Sequence, residues 1–313
     1  MIRSLMRKTC LDMVYDLAKK NNKVIFVGSD LGAGVLDEFK KKIPERFIME
    51  GVSEQYLTGM VSGLAIEGFI PYFNTIATFL TRRNFEQNII DLGLHNLPVR
   101  LIGNGGGLVY APLGPTHQAI EDISIMRAIP NMMILAPCDS HEMKKIMPQT
   151  INIRGPIYIR LARGGDKIVT SKIKNIKIGK AISFGEYKDV LFVTTGIMTQ
   201  ECLEVAERLK SKNIKAGVLH NTTIKPFDKK SLIEASKKTK FIFTVEEHLV
   251  SGGLGSIVLE TLNEKNSDTI TKVNRIGIND SFVKKYGSQQ ELLNYCGLSA
   301  RKIFSKVMKK INE

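Results

Sequence analysis

Short runs of consecutive apolar residues alternate along the chain with stretches whose apolar positions recur every three or four residues. The first pattern marks buried strands and the second marks helices packed on them. Strands are expected at Val24–Val27, Phe47–Met49, Phe69–Phe73, Val99–Gly103, Met133–Ala136 and Ile157–Leu161. A first helix is expected over Ser4 to Lys20, with Met6, Cys10, Met13, Val14 and Leu17 on one face. Another begins near Ser53, a good N-cap residue, and turns Leu57, Val61 and Leu64 toward a core. Gly59 and Gly63, four apart, leave one face of that helix open to close approach. Further helices are expected near 79–95, 117–128 and 139–150, the last opened by Asp139 and Glu142 in capping-box spacing. Residues 164–185 read as a linker with an edge strand. A second alternation follows, with strands Val190–Thr194, Ala216–Leu219, Phe241–Val245 and Lys272–Ile276 and helices near 198–212, 228–237 and 253–264. Strictly alternating elements predict an α/β fold of two consecutive domains with mainly parallel sheets. The boundaries are expected at 1–165, 166–185 (linker) and 186–313.

A chain of 313 residues can bury two such cores. No apolar run is long enough to span a membrane, and the amino terminus lacks the apolar stretch of a secretion signal. Cys10, Cys138, Cys202 and Cys296 show neither metal-ligand nor disulfide spacing, which suits a reducing cytoplasm. The net charge of +14, from 45 Lys and Arg against 31 Asp and Glu, raises nucleic-acid binding as a rival role. The lysines, however, are spread over helix faces such as 210, 212, 237, 238 and 240, and no tryptophan or interleaved aromatic accompanies them. A solvated basic surface that attracts phosphorylated substrates or an acidic partner is the expectation, without nucleic acid or membrane.

Candidate chemistry clusters where expected strands turn into helices. Glu54 follows strand Phe47–Met49, at the carboxyl edge where parallel sheets place ligands. A carboxylate there also suits the positive end of a helix, so its position alone leaves both roles open. Phe79 follows the next strand and offers a flat ring for stacking, or a core aromatic. His117 comes after the glycine-rich loop Gly103–Gly107, as proton carrier or as helix cap. That loop lacks the context of a dinucleotide site or a P-loop. Arg160 and Arg163 end the last strand of the first domain, and guanidinium forks suit phosphate.

Seven motifs in order give the chain a family resemblance. They are Arg7-Lys8, Gly28-Ser29-Asp30-Leu31, Gly51-Val52-Ser53-Glu54-Gln55, Thr78-Phe79-Leu80, Gly114-Pro115-Thr116-His117-Gln118, Arg127-Ala128-Ile129-Pro130-Asn131, and Thr244-Val245-Glu246-Glu247-His248 with Gly252-Gly253-Leu254-Gly255. Nearly the whole chain resembles the C-terminal half of transketolase encoded as a separate subunit: a thiamine-diphosphate pyrimidine-binding fold followed by the transketolase C-terminal domain. The resemblance implies a thiamine-diphosphate enzyme that transfers a two-carbon ketol unit between a ketose and an aldose. Glu54 would trade a proton with the cofactor's aminopyrimidine, and Phe79 would stack on that ring. Asp30, Leu31 and Ile76 would line the cofactor, Ile76 standing where relatives tend to carry an aromatic. His117 would face substrate oxygens and Arg7 would bind the acceptor's phosphate, and Arg82, Arg160 and Arg163 are further candidates for substrate contact on their own chemistry. His248 gains no catalytic role, since the second domain of relatives mainly supports dimer contacts.

Departures narrow these expectations. Leu113 stands where relatives carry an aspartate that reads a sugar hydroxyl, and Gly34 replaces a phosphate-binding serine. Gly105 falls near an arginine of deoxyxylulose-phosphate synthases. A phosphorylated or unusual sugar is therefore expected. The chain also has no Gly-Asp-Gly motif with a downstream Asn to hold Mg²⁺ and the diphosphate. Both are expected from an N-terminal transketolase-like partner, with self-association across a dimer axis and a heterotetramer as the assembly. The alternatives are the β subunit of a 2-oxo acid dehydrogenase and a deoxyxylulose-phosphate-synthase-like enzyme.

Overall fold

In a computed structural model, which describes residues 3–29, 36–162, 166–265 and 268–313, the apolar spacing at the start of the chain closes helix α1 (Met6–Lys20). Met6, Cys10, Val14 and Leu17 are buried on one face, while Lys19 and Lys20 sit in the last turn, where cations suit the helix dipole. Two compact units make up the chain: Met1–Gly106, Ile125–Leu135 and Asp139–Ile178 form one, and Gly107–Ser124, Ala136–Cys138 and Gly179–Glu313 form the other.

In the first unit a two-residue strand β1 (Arg3–Ser4) precedes α1. The chain continues through β2 (Val24–Ser29), α2 (Asp37–Lys42), β3 (Phe47–Glu50), α3 (Glu54–Ile66) and β4 (Ile70–Ile76). After α4 (Phe85–Gln87) come β5 (Arg100–Asn104), α5 (Asp122–Arg127), β6 (Met133–Leu135), α6 (Ser140–Thr150), β7 (Ile157–Leu161) and β8 (Asp166–Lys167). The sheet runs β6-β7-β5-β4-β2-β3 with every pair parallel. Strands β2, β5 and β7 are buried along their whole length, which is why they read as unbroken apolar runs. Phe26 of β2 stacks on Phe47 of β3 at 5.1 Å between ring centroids, and Phe39 of α2 closes the cluster. α1 packs on α6, with the Cys10 Sγ 3.8 Å from the Met147 Sδ. Arg100 is fully buried; it donates to the carbonyls of Gly155 and Ile153 and so ties β5 to the turn before β7.

The second unit contains β9 (Ile182–Phe184), β10 (Val190–Thr194), α7 (Met198–Lys210), β11 (Ala216–His220), β12 (Thr223–Lys225), α8 (Lys229–Ser236) and β13 (Phe241–Leu249). It ends with α9 (Leu254–Glu264), β14 (Val273–Ile278), α10 (Gln289–Tyr295) and α11 (Ala300–Asn312). Its five-stranded sheet runs β14-β13-β10-β11-β9, parallel except for the edge strand β9. Phe192, Val218, Phe243 and Val245 pack against Cys202, Val205 and Leu209 of α7 and Ile303 and Val307 of α11 in one core. Two α/β units with mainly parallel sheets are thus present, as the alternation of apolar patterns predicts.

Several details differ from the sequence reading. Over 79–95 the helix is interrupted: π-helical turns at Phe79–Arg83 and Asn88–Leu94 flank α4. Side chains compete there for backbone carbonyls, Thr81 donating to the Ala77 oxygen and Asn88 to the Leu80 oxygen, while Asn84 leaves helical geometry. The helix expected from 117 starts only at Asp122. Gly114 has a positive φ of 76°, Pro115 has no N–H to give, and Ala119 instead forms a two-bond bridge with Gly107. Ser53 occupies the N-cap of α3 without a capping bond; its hydroxyl turns back toward the Gly51 carbonyl. Asp139 does cap α6, accepting from the Glu142 N–H at 2.8 Å. Helices α10 and α11 and strand β12 have no counterpart in the sequence reading. No helix among the described residues is long and apolar enough to cross a membrane.

Candidate functional site

Parallel strands present their carboxyl ends together, and in the first unit four of these ends carry polar or aromatic groups. β2 ends on Ser29, β3 leads to Glu54, β4 leads through Ile76 to Phe79, and β5 ends on Asn104. Glu54 opens α3 and is only 2% exposed. Its Oε1 accepts from the Ser29 hydroxyl at 3.3 Å, and its Oε2 accepts from Arg83 Nη1 at 2.5 Å. Ser29 Oγ also lies 2.9 Å from the Gly51 carbonyl, so its single proton is shared between two acceptors. Thr58, one turn on, donates to the Glu54 carbonyl and steadies the first turn of α3.

Arg83 does a second thing. Its guanidinium carbon stands 4.4 Å from the centroid of the Phe79 ring, a cation–π distance. Residues four apart on a helical turn share a face, which brings Arg83 over Phe79. The head group of Arg83 therefore lies against both a buried carboxylate and an aromatic face, while its side chain remains 40% exposed. Ile76 and Phe79 are half-buried at the end of β4 and the start of the π-helical turn, and Arg82 is half-buried beside them. Asn104 is buried; its amide donates to Asn74 Oδ1 at 2.7 Å, and its own Oδ1 has no hydrogen-bond partner among the described residues.

Arg160 is only 7% exposed and lies under the glycine-rich loop. The N–H groups of Gly105 and Gly106 both donate to the Leu161 carbonyl, and a side chain at Gly106 would collide with Arg160 Cγ at 2.5 Å. Arg7 sits half-buried in the first turn of α1. Asp30, Leu31, Gly34 and Arg163 lie outside the described residues.

In the second unit His117 is half-buried in a turn, its N–H bonded to the Gly114 carbonyl and its Nδ1 2.8 Å from the Thr116 hydroxyl. Leu113, two residues before Pro115, is half exposed. The Glu246-Glu247-His248 run is architectural. Glu246 accepts from the Leu254 and Gly255 N–H groups at the amino end of α9. Glu247 accepts from Leu108 N–H and from Gln289. His248 Nε2 accepts from Ser124 N–H, which leaves Nδ1 to donate to the Leu249 carbonyl.

The structure thus joins Glu54 to Phe79 through Arg83, for which the sequence predicts no role. Ser29 stands in the Gly28-Ser29-Asp30-Leu31 motif with no role expected of it, and of the Arg82-Arg83 pair only Arg82 is a candidate from the sequence. The signal for Arg83 was its spacing of four from Phe79.

These features define a two-domain α/β protein with a carboxylate and an aromatic face at the ligand edge of its first sheet. The chain belongs to the transketolase family: the family model "Transketolase, pyrimidine binding domain" matches residues 4–165, and "Transketolase, C-terminal domain" matches residues 179–303. A 6-deoxy-6-sulfo-D-fructose transketolase subunit, SqwH, from Clostridium sp. (strain MSTE9) is 34% identical over 299 residues, covering 95% of this chain and 92% of the relative. A putative transketolase C-terminal section from Methanocaldococcus jannaschii is 34% identical over 314 residues, covering 98% and 96%. A solved split-gene transketolase, described as an inactive beta4 tetramer, superposes with a TM-score of 0.89 at 35% identity, covering 97% of each chain.

Proposed function

We propose that this chain is the C-terminal-type subunit of a split, thiamine-diphosphate-dependent transketolase that moves a two-carbon ketol unit from a ketose to an aldose. The observation that carries this reading is the buried carboxylate of Glu54, which the guanidinium of Arg83 joins to the ring of Phe79. The site fits the cofactor's aminopyrimidine, because a carboxylate able to share a proton with the ring nitrogen and an aromatic face already hold one flat group in common, the guanidinium of Arg83. When bound, thiamine diphosphate would supply the nucleophilic carbon needed to transfer a two-carbon unit.

The chain's own residues hold and tune that reaction. Glu54 exchanges a proton with the pyrimidine ring nitrogen, which is general acid–base work through the cofactor. Ser29 steadies the carboxylate from the other side. Phe79 and Ile76 form the apolar wall, and the family resemblance gives Asp30 and Leu31 a part in holding the cofactor. His117 moves protons at substrate oxygens. Arg7, Arg82 and Arg163 draw the anionic end of the sugar, and Arg160 braces the loop around Gly106 from below. The exposed Leu113, which offers no hydrogen bond to a hydroxyl, favours an unusual or differently substituted sugar.

The pyrimidine-binding domain covers 1–165, residues 166–185 connect, and the C-terminal domain covers 186–313. Mg²⁺ and the diphosphate belong to an N-terminal-type partner in a heterotetramer; relatives that are themselves a transketolase subunit and a C-terminal section support the existence of such a partner. Four free cysteines support a cytoplasmic setting.

Co-purification of the chain with a polypeptide carrying Gly-Asp-Gly and the downstream Asn, followed by a panel of sugar phosphates, tests this reading. The pair turns over and the chain alone does not. E54Q assembles normally and loses at least about 100-fold in kcat, the usual scale for a lost general acid or base. An E54Q pair that keeps the full rate ends the reading.

A further inference from the structure

We propose that Arg83 is a built-in stand-in for the aminopyrimidine, occupying the slot between Glu54 and Phe79 and withdrawing when the cofactor ring enters. The inference rests on the cofactor reading above. Its ground is that one side chain makes both of the contacts that reading assigns to the ring. Arg83 Nη1 donates to Glu54 Oε2 at 2.5 Å, and the same guanidinium lies 4.4 Å from the centroid of Phe79. A guanidinium is planar, delocalised and edged with N–H donors, so it reproduces the flat shape of an aminopyrimidine and the N–H that the ring-protonated form presents to a carboxylate. One aromatic face cannot stack on two planes, and the oxygen held by Arg83 is the group the ring nitrogen needs.

The arrangement explains both why the arginine rests there and why it can leave. Glu54 is 2% exposed, and a buried carboxylate without a partner is costly. Arg83 removes that cost and leaves Ser29 as the lighter contact on the other oxygen. The Arg83 side chain is itself 40% exposed, so its departure opens no cavity in the core. It also sits at the end of a π-helical turn, immediately before Asn84, where the backbone leaves helical geometry. The residue next to it, Arg82, is the one assigned to the substrate in the reading above, and that reading gives Arg83 no role. Arg83 is thus free for a separate task, keeping the slot satisfied until the ring displaces it.

The test uses the assembled enzyme, chain plus N-terminal-type partner, with thiamine diphosphate and Mg²⁺ titrated by calorimetry. Removing the stand-in makes the ring compete with nothing, so R83M binds thiamine diphosphate at least about tenfold more tightly, equivalent to about 1.4 kcal/mol. R83K, which keeps the charge and loses the plane, falls between R83M and wild type. Should R83M fail to assemble, R83Q takes its place with the same expectation. Unchanged or weaker binding by the uncharged variant overturns the proposal. So does a crystal structure of the loaded enzyme in which Arg83 still covers Phe79. E54Q separates this failure from that of the cofactor reading. If E54Q abolishes turnover while R83M binds as wild type, only the stand-in falls; if E54Q turns over normally, the reading beneath it falls as well.

Discussion

Asp228 illustrates how one side chain links local structure to solution behaviour. It is the N-cap of α8, and its carboxylate accepts from the Ser231 N–H, the Ser231 hydroxyl and the Ala181 N–H. Burial alone would raise its pKa, but these hydrogen bonds outweigh it and hold the carboxyl below its ordinary value. A depressed folded-state pKa means that the stabilisation is complete above the unfolded value, about 3.9, and fades as the pH falls below it. D228A therefore lowers stability by about 1 kcal/mol at pH 7, the usual worth of an N-cap. The gap between wild type and D228A in thermal melts stays constant from pH 7 to about 4 and narrows below that. A gap that widens on acidification contradicts this account. The same lesson holds at Glu54, whose place at the carboxyl edge of the sheet is legible from its position after a strand. Arg83 was not expected, because an Arg-Arg pair on a helix surface reads equally well as solvated charge.

At the scale of elements, the most motif-like stretch of the second unit serves architecture. The run from Thr244 to His248 ends β13, and Glu246 closes the amino end of α9 by taking two backbone N–H groups. Gly253 must be glycine, since a Cβ there would fall 2.0 Å from the Glu246 carboxylate. E246A strands both N–H groups in the interior, and each unmet buried donor costs about 1–3 kcal/mol. The melting temperature of E246A drops by about 5 °C or more, and E246Q, which retains one good acceptor, drops less. Equal melting of the two variants contradicts the capping role. Elements whose pattern was purely apolar were legible in the sequence: both sheets follow from unbroken runs such as Val190–Thr194. Elements shaped by side-chain hydrogen bonding were not. The π-helical turns around α4 depend on where Thr81 and Asn88 send their bonds, and periodicity does not encode that. Helix α10 had a readable start in Ser288 and Glu291, which form a complete capping box. Helix α11 was hidden by its lysines, although Ile303 and Val307 mark its buried face.

For the whole molecule, two cores account for the inertness of the thiols. Burial pushes the Cys10 and Cys202 thiols far above their ordinary range. Cys296, only half-buried, is also raised, by burial and then by the nearby Glu247. Thiolate is the reactive form. Iodoacetamide at pH 7.5 accordingly modifies the folded chain slowly and at Cys296 first, and Cys10 and Cys202 react only after denaturation, as peptide mass mapping will read. Rapid alkylation of Cys10 contradicts the packing of α1 on α6. The carboxylate bracket at α9 has a wider consequence for anyone sorting genomes. Paralogues gathered by Thr-Val-Glu-Glu-His and Gly-Gly-Leu-Gly share a scaffold, whatever chemistry they retain. A copy that has decayed to a bystander would keep those letters and drift at the counterparts of 54, 79 and 83, so a triage of such genes should weigh the three positions above the louder motif.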